Sequence, residues 1–334
     1  MMGNVLRRLF AALLALGAVC GLARAADRIV IGTVPNIGDG PLICAIERGY
    51  FREQNIDIDL SPFRTASEMT PMIARGDISM MGGGVSVSYF NGVARGLPMR
   101  YFVNRARSPV WHGLIIRKEL AGKVVSARDL KGLKIGTTAV GGLSEYELGK
   151  TLESVGLSLD DVETKPLGMP ESVVAIGQGA IDAAVFVPPF DSAAIKAGAV
   201  HLLDADEAVR PRMEVSGLIY NTDWATKNGD LLDRFTLAYI RGARCYLEAA
   251  RGGANRDEVT DYFVKYSPVK DRAIFAGMRW SEIEPDGRVA VDSLMDQQDF
   301  YARRGYLTTK SQATAIVDQD TVKRALARLG PNAK

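Results

Sequence analysis

Two short stretches recur at almost the same separation, and this repeat limits the possible architectures more than any other feature. Lys134-Ile135-Gly136-Thr137 echoes Val30-Ile31-Gly32-Thr33, with Gly136 standing 104 positions after Gly32. Gly179-Ala180-Ile181-Asp182 echoes Gly76-Asp77-Ile78-Ser79 at a separation of 103. The agreement of the two separations argues for two similar units. In the first unit, Ile29 to Thr33 reads as a strand, Leu42 to Arg48 as a helix stopped by Gly49, Ile56 to Leu60 as an alternating strand, and Ile78 to Met81 as a buried strand. In the second, Glu145 to Val155 reads as a helix closed by Gly156, with Ser144 and Glu147 spaced as a capping box. Strands alternating with helices predict an α/β fold, each unit a mainly parallel sheet flanked by helices.

The last third has a different pattern. Leu231 to Ala250, Asp257 to Tyr266, Val291 to Arg304 and Thr321 to Leu329 all carry helical periodicity. This segment is expected to pack on one unit and enlarge it. With 334 residues, two lobes are expected rather than one compact core. Trp111-His112 stands before the strand beginning at Gly113, which places a crossing between lobes there. A return crossing is expected near Ser216-Gly217-Leu218. The resulting lobes are 27–113 plus 217–334, and 114–216.

Residues 1–25 read as a cleaved secretory signal. Arg7 and Arg8 form a basic start, Leu9 to Leu22 an apolar stretch short for a bilayer span, and Ala23-Arg24-Ala25 a small-x-small cleavage pattern. Gly17-Ala18-Val19 before Cys20 argues against a lipid-anchored cysteine. Without the three leader arginines, 38 basic residues face 39 acidic ones, and such a balance excludes a nucleic-acid binder driven by bulk charge. A mean hydropathy of +0.01 excludes a multi-span membrane protein. Cys44 and Cys245 remain, read as two buried free thiols, with a disulfide open if the protein is exported.

Ligands of open α/β sheets bind at the carboxyl ends of strands, so the loops after the strands are the candidate site. They are Pro35 to Gly40 with Asn36 and Asp39; Ser61 to Ser67 with Phe63 and Arg64; Gly82 to Ser86 with Gly83, Gly84 and Ser86; Thr138 to Ser144 with Thr138, Gly142 and Ser144; and Pro188 to Asp191 with Pro189. Backbone N–H groups at Gly83-Gly84 and Gly142-Leu143 suit a small anion or polar head group. Arg64 offers a bidentate contact to a carboxylate or sulfonate. Phe63, Trp111, Phe186 and Phe190 offer apolar surface, and Asp39 and Glu145 suit an amine or N–H. Each also has a structural reading: Gly82-Gly83-Gly84 as a tight turn, Ser144 as a cap, the phenylalanines as core. His112, one of two histidines, reads as structural or as a hydrogen-bond donor to ligand. No G-x-S-x-G, H-E-x-x-H, P-loop or G-x-G-x-x-G motif occurs, and no Cys/His cluster suited to zinc follows the leader. No enzyme activity, cofactor or metal is expected.

Ala45-Ile46-Glu47-Arg48-Gly49-Tyr50-Phe51 with Ile56-Asp57-Ile58, Ile73 to Ile78, Asp129 to Gly136, and Gly179 to Ala183 together resemble the periplasmic solute-binding proteins of ABC importers. The branch is the one with nitrate, sulfonate, taurine and thiamine-precursor binders, and the likeness extends over nearly the whole chain beyond the leader. It implies a type II two-lobed fold and a periplasmic, monomeric protein. The implied partners are a small-molecule ligand held in the interlobe cleft and an ABC permease with its ATPase, with no nucleic acid and the membrane met only through the permease. The family's ligand contacts fall near Asn36, Arg64, Gly84, Ser86, Thr138, Gly142, Ser144 and Pro189. One member type, a thiamine-pyrimidine synthase, is an enzyme with a cysteine-rich motif that this chain lacks. The implied ligand is a small organic anion, a sulfonate or carboxylate; the alternative is a pyrimidine-like precursor, bound or transformed.

Overall fold

The computed structural model describes residues 25–205 and 213–332. The leader before Ala25, with Cys20, lies outside the described residues. Two five-stranded mixed sheets form the framework. The first has the order β2-β1-β3-β10-β4, from β1 (Asp27–Thr33), β2 (Ile56–Pro62), β3 (Met80–Gly83), β4 (Met99–Arg107) and β10 (Glu214–Asn221). The second has the order β7-β6-β8-β5-β9, from β5 (Gly113–Ile116), β6 (Lys134–Thr137), β7 (Glu163–Pro166), β8 (Ala183–Phe186) and β9 (Val200–Asp204). β1 runs parallel to β2 and β3, as β6 does to β7 and β8. In each sheet the strand that enters from the other lobe, β10 or β5, is the antiparallel one. This is the two-lobed periplasmic-binding-protein fold.

The sequence repeat is a topological repeat: β1 corresponds to β6 and β3 to β8. The repeated glycine has a packing reason. A Cβ on Gly32 would lie 2.8 Å from Met69 Sδ, on the helix Ala66–Arg75 that covers the sheet. A Cβ on Gly136 would lie 3.0 Å from the Ile181 side chain and 3.4 Å from Ser172 Oγ, on the corresponding helix Met169–Gly177. Close helix–sheet contact disfavours a side chain at Gly32, and the crowding of Ile181 and Ala184 disfavours one at Gly136.

Three sequence expectations shift. The return crossing precedes Glu214, because Ser216, Gly217 and Leu218 already pair with β3 or β4 inside β10. Gly82 and Gly83 end β3 rather than opening a loop, paired with Leu218 and Gly217. The C-terminal helices do not serve one lobe alone. The helix Gly229–Ala250 packs on Gly40–Glu47 beside the first sheet, but Val291–Arg303 also reaches Leu143–Glu153 beside the second. There Phe300 meets Tyr146 edge-on at 5.1 Å, and Tyr146 Oη donates to Asp296 at 2.5 Å.

Candidate functional site

A cavity opens between the two sheets, lined by loops at the carboxyl ends of strands from both, with about 790 Å³ of empty space counting its mouth. The first lobe contributes Asn36, Ile37 and Gly38 after β1, Arg64 to Ser67 after β2, Gly83, Gly84 and Ser86 at the end of β3, and Arg105 and Ser216 from the adjoining strands. The second contributes Thr138, Ala139, Gly142, Leu143, Ser144 and Glu147, with Met169 and Val187. His112 stands on the segment between β4 and β5. The lobes touch around this space. The Ile37 N–H donates to the Pro188 carbonyl at 3.2 Å, and the Val87 N–H to Gly141 at 2.9 Å. Gly141 has φ +66°, and a Cβ there would lie 2.4 Å from Val87, so this interlobe contact requires glycine.

The polar groups of the cavity are strongly organised. Arg105, 1% exposed, donates to Asp39 from Nη2 at 2.5 Å and from Nε at 3.1 Å. It also donates to Ser216 Oγ at 3.0 Å, while Thr33 Oγ1 donates to Asp39 at 2.6 Å. Asp39 therefore sits behind the cavity, neutralising Arg105, and does not line the wall. His112 Nδ1 hydrogen-bonds both oxygens of the Glu147 carboxyl, at 2.8 and 3.0 Å, both side chains being buried.

Ser144 is not the helix cap. The helix Leu143–Glu153 starts earlier than expected, with Gly142 at its N-cap in an extended conformation. Ser144, the second residue of the helix, accepts from the Thr138 N–H at 2.8 Å and bonds Thr138 Oγ1 at 2.9 Å, which fixes the loop after β6. Glu145 instead accepts from the Gly141 N–H. Glu147 is thereby released from any capping role and turned toward His112.

Asn36, Arg64, Gly83, Gly84, Ser86, His112, Thr138, Gly142 and Ser144 thus gather around one cavity. Five other expected residues do not line it. Asp39 is behind Arg105. Phe63 packs on the core, its ring 3.0 Å from where a Gly32 Cβ would stand. Phe186 is fully buried beside Ile115 and Phe190. Pro189 is buried at the N-cap of Phe190–Lys196. Trp111, with φ +62°, donates from Nε1 to the Trp280 carbonyl at 3.2 Å and lies under the Arg279 guanidinium at 4.1 Å. Arg64 does reach the cavity but is 66% exposed, bonding Glu68 at 3.0 Å and lying 3.6 Å from Glu171 of the second lobe, across the mouth. Sequence reasoning missed Arg105 and Glu147. A charged residue within the mostly apolar run Tyr101 to Ala106 was the available signal for the first.

A pyrimidine phosphate synthase of Aspergillus parasiticus, named for 4-amino-5-hydroxymethyl-2-methylpyrimidine phosphate, is 28% identical over 145 residues, 43% of this chain and 41% of that protein. The chain thus matches less than half the length of this curated relative. The aliphatic sulphonate binding protein of Escherichia coli superposes with a TM-score of 0.68 at 19% identity, covering 88% of this chain and 92% of that one. The nitrate-binding protein of Synechocystis PCC 6803 gives 0.76 at 13% identity, covering 91% and 89%. Both likenesses concern the fold. The NMT1/THI5-like family model matches residues 36–250, most of the chain, and the protein belongs to that family.

Proposed function

We propose that this protein is the periplasmic solute-binding component of an ABC importer, exported through residues 1–25 and acting as a monomer. It captures a small organic molecule between its lobes and presents the closed form to a membrane permease and its ATPase. The observation that carries this reading is the cavity shared by two lobes, walled by strand-end loops from each and closed by interlobe backbone hydrogen bonds. Ligand binding then favours the closed population through contacts made to both lobes at once. Val34, Ile37, Ala66, Leu143, Met169 and Val187 suit an apolar body, and Ser86, Thr138, Ser144 and Ser216 with nearby backbone N–H groups suit a polar head, here assigned to a sulfonate or carboxylate.

A second reading, a pyrimidine-like heterocycle that is bound or transformed, is favoured by one observation. The buried guanidinium of Arg105 is already matched by Asp39, and His112 by Glu147, so among the described residues lining the cavity an anion meets no uncommitted buried charge. A thermal-shift panel of sulfonates, carboxylates, nitrate, amino acids and pyrimidines, with product analysis by mass spectrometry, separates the readings. A stabilising sulfonate or carboxylate recovered unchanged supports the first. A stabilising pyrimidine, or any turnover, replaces it with the second.

A further inference from the structure

The helices Gly40–Glu47 and Gly229–Ala250 meet at unusually short range. A Cβ on Gly242 would lie 2.2 Å from the Pro41 carbonyl oxygen, and one on Gly40 would lie 2.2 Å from the Tyr246 ring. Cys44 and Cys245 stand on these two helices, within one apolar cluster, and each thiol bears on the other's titration. Both are free and buried, but not equally. Cys44 is inaccessible, whereas Cys245 is 8% exposed and borders a broad second pocket remote from the interlobe cavity. Arg48, Arg241, Arg244 and Arg251 line that pocket against Glu248 and Glu258. Asn255 Nδ2 approaches Cys245 Sγ at 3.6 Å.

We propose that Cys44 and Cys245 form a reversible dithiol–disulfide pair, oxidised through Cys245 by small anionic disulfides entering the arginine-bordered pocket. The Cys245 thiolate attacks the incoming disulfide, forming a mixed disulfide and expelling one thiolate. The Cys44 thiol then attacks Cys245 Sγ, its proton passes to solvent, and the second thiolate leaves. Two protein thiols are oxidised and one external disulfide is reduced to two thiols. The Cys44 thiol, together with Arg48 and Asn255, lowers the Cys245 thiol from its ordinary range against the opposing effect of burial, while Cys44 is raised in turn. Both helices belong to the first lobe, so the bond does not bridge the cleft.

The test exposes the full chain to oxidised glutathione, quenches with an alkylating agent in denaturant, and maps peptides. The expected product is a Cys44–Cys245 cross-link, reversed by dithiothreitol, which raises Tm by roughly 5–10 °C because the closed loop is long. Cys44→Ser should stop at a glutathione adduct on Cys245, and Cys245→Ser should leave Cys44 unmodified while folded. A wild-type protein that accumulates the Cys245 adduct with Cys44 still alkylatable overturns the proposal. So does a folded wild type whose two thiols both resist glutathione while the unfolded chain reacts.

Discussion

Replacing Asp39 by alanine isolates the electrostatic arrangement behind the cavity. Arg105 would keep its bond to Ser216 and its approach to Thr33 but lose both contacts to the Asp39 carboxylate. At 1% exposure the guanidinium is shielded from bulk solvent. Removing one member of such a buried pair costs about 3–5 kcal/mol, most of it the penalty of an uncompensated charge. The assay is urea unfolding, with stability compared from midpoints at a common slope. The double change Asp39→Leu with Arg105→Met removes the charge as well as its partner, so it should be much less destabilising than the two single changes summed. Asp39→Ala alone should also bind anions from the ligand panel more tightly, since Arg105 faces the cavity and is then unneutralised. A loss below about 1 kcal/mol for Asp39→Ala, or an additive double change, refutes the reasoning.

The remaining predictions rest on separate contacts. Burial, partly offset by hydrogen bonds from Tyr101, Ala290 and Asn104, pushes the Glu214 carboxyl up to about 7. The folded state therefore holds this proton more tightly than the unfolded chain. That stabilisation is complete below about pH 4.5 and is lost as pH rises through 7, an effect of about 3 kcal/mol. Glu214→Gln should flatten this part of the stability profile, and an unchanged slope in urea titrations at pH 5 and 8 removes Glu214 as its source. Gly217→Ala would place a Cβ 2.1 Å from Tyr101 Cζ, on a buried ring hydrogen-bonded to Glu214, and should cost roughly 1–3 kcal/mol or more in the same assay. Arg64→Ala should weaken ligand binding by less than about 1 kcal/mol, because the side chain is exposed and paired with Glu68. A loss above about tenfold by calorimetry would place its guanidinium on the ligand.

Much of the architecture was legible because it depends on local periodicity and on a repeat. The strand–helix order, the paired glycines Gly32 and Gly136, and the helices from Leu231 onward all follow from patterns within a few turns of chain. The strand-end rule likewise located the loops that wall the cavity, since chain direction in a parallel sheet decides which end the loops share. What only the tertiary structure decided is how individual side chains are used. Asp39 and Arg105 are 66 positions apart, so their neutralisation required the sheet to assemble. The Ser144/Glu147 spacing suits a capping box, but a small shift in helix start turned Ser144 toward Thr138 and left Glu147 with His112. Phe186 and Val187 are adjacent, yet Phe186 is fully buried while Val187, which also packs on that core, reaches the cavity wall. Local pattern determines which elements form and in what order. Register, helix phase and long-range charge pairing decide which residues face the cavity, and those are settled only when distant segments pack.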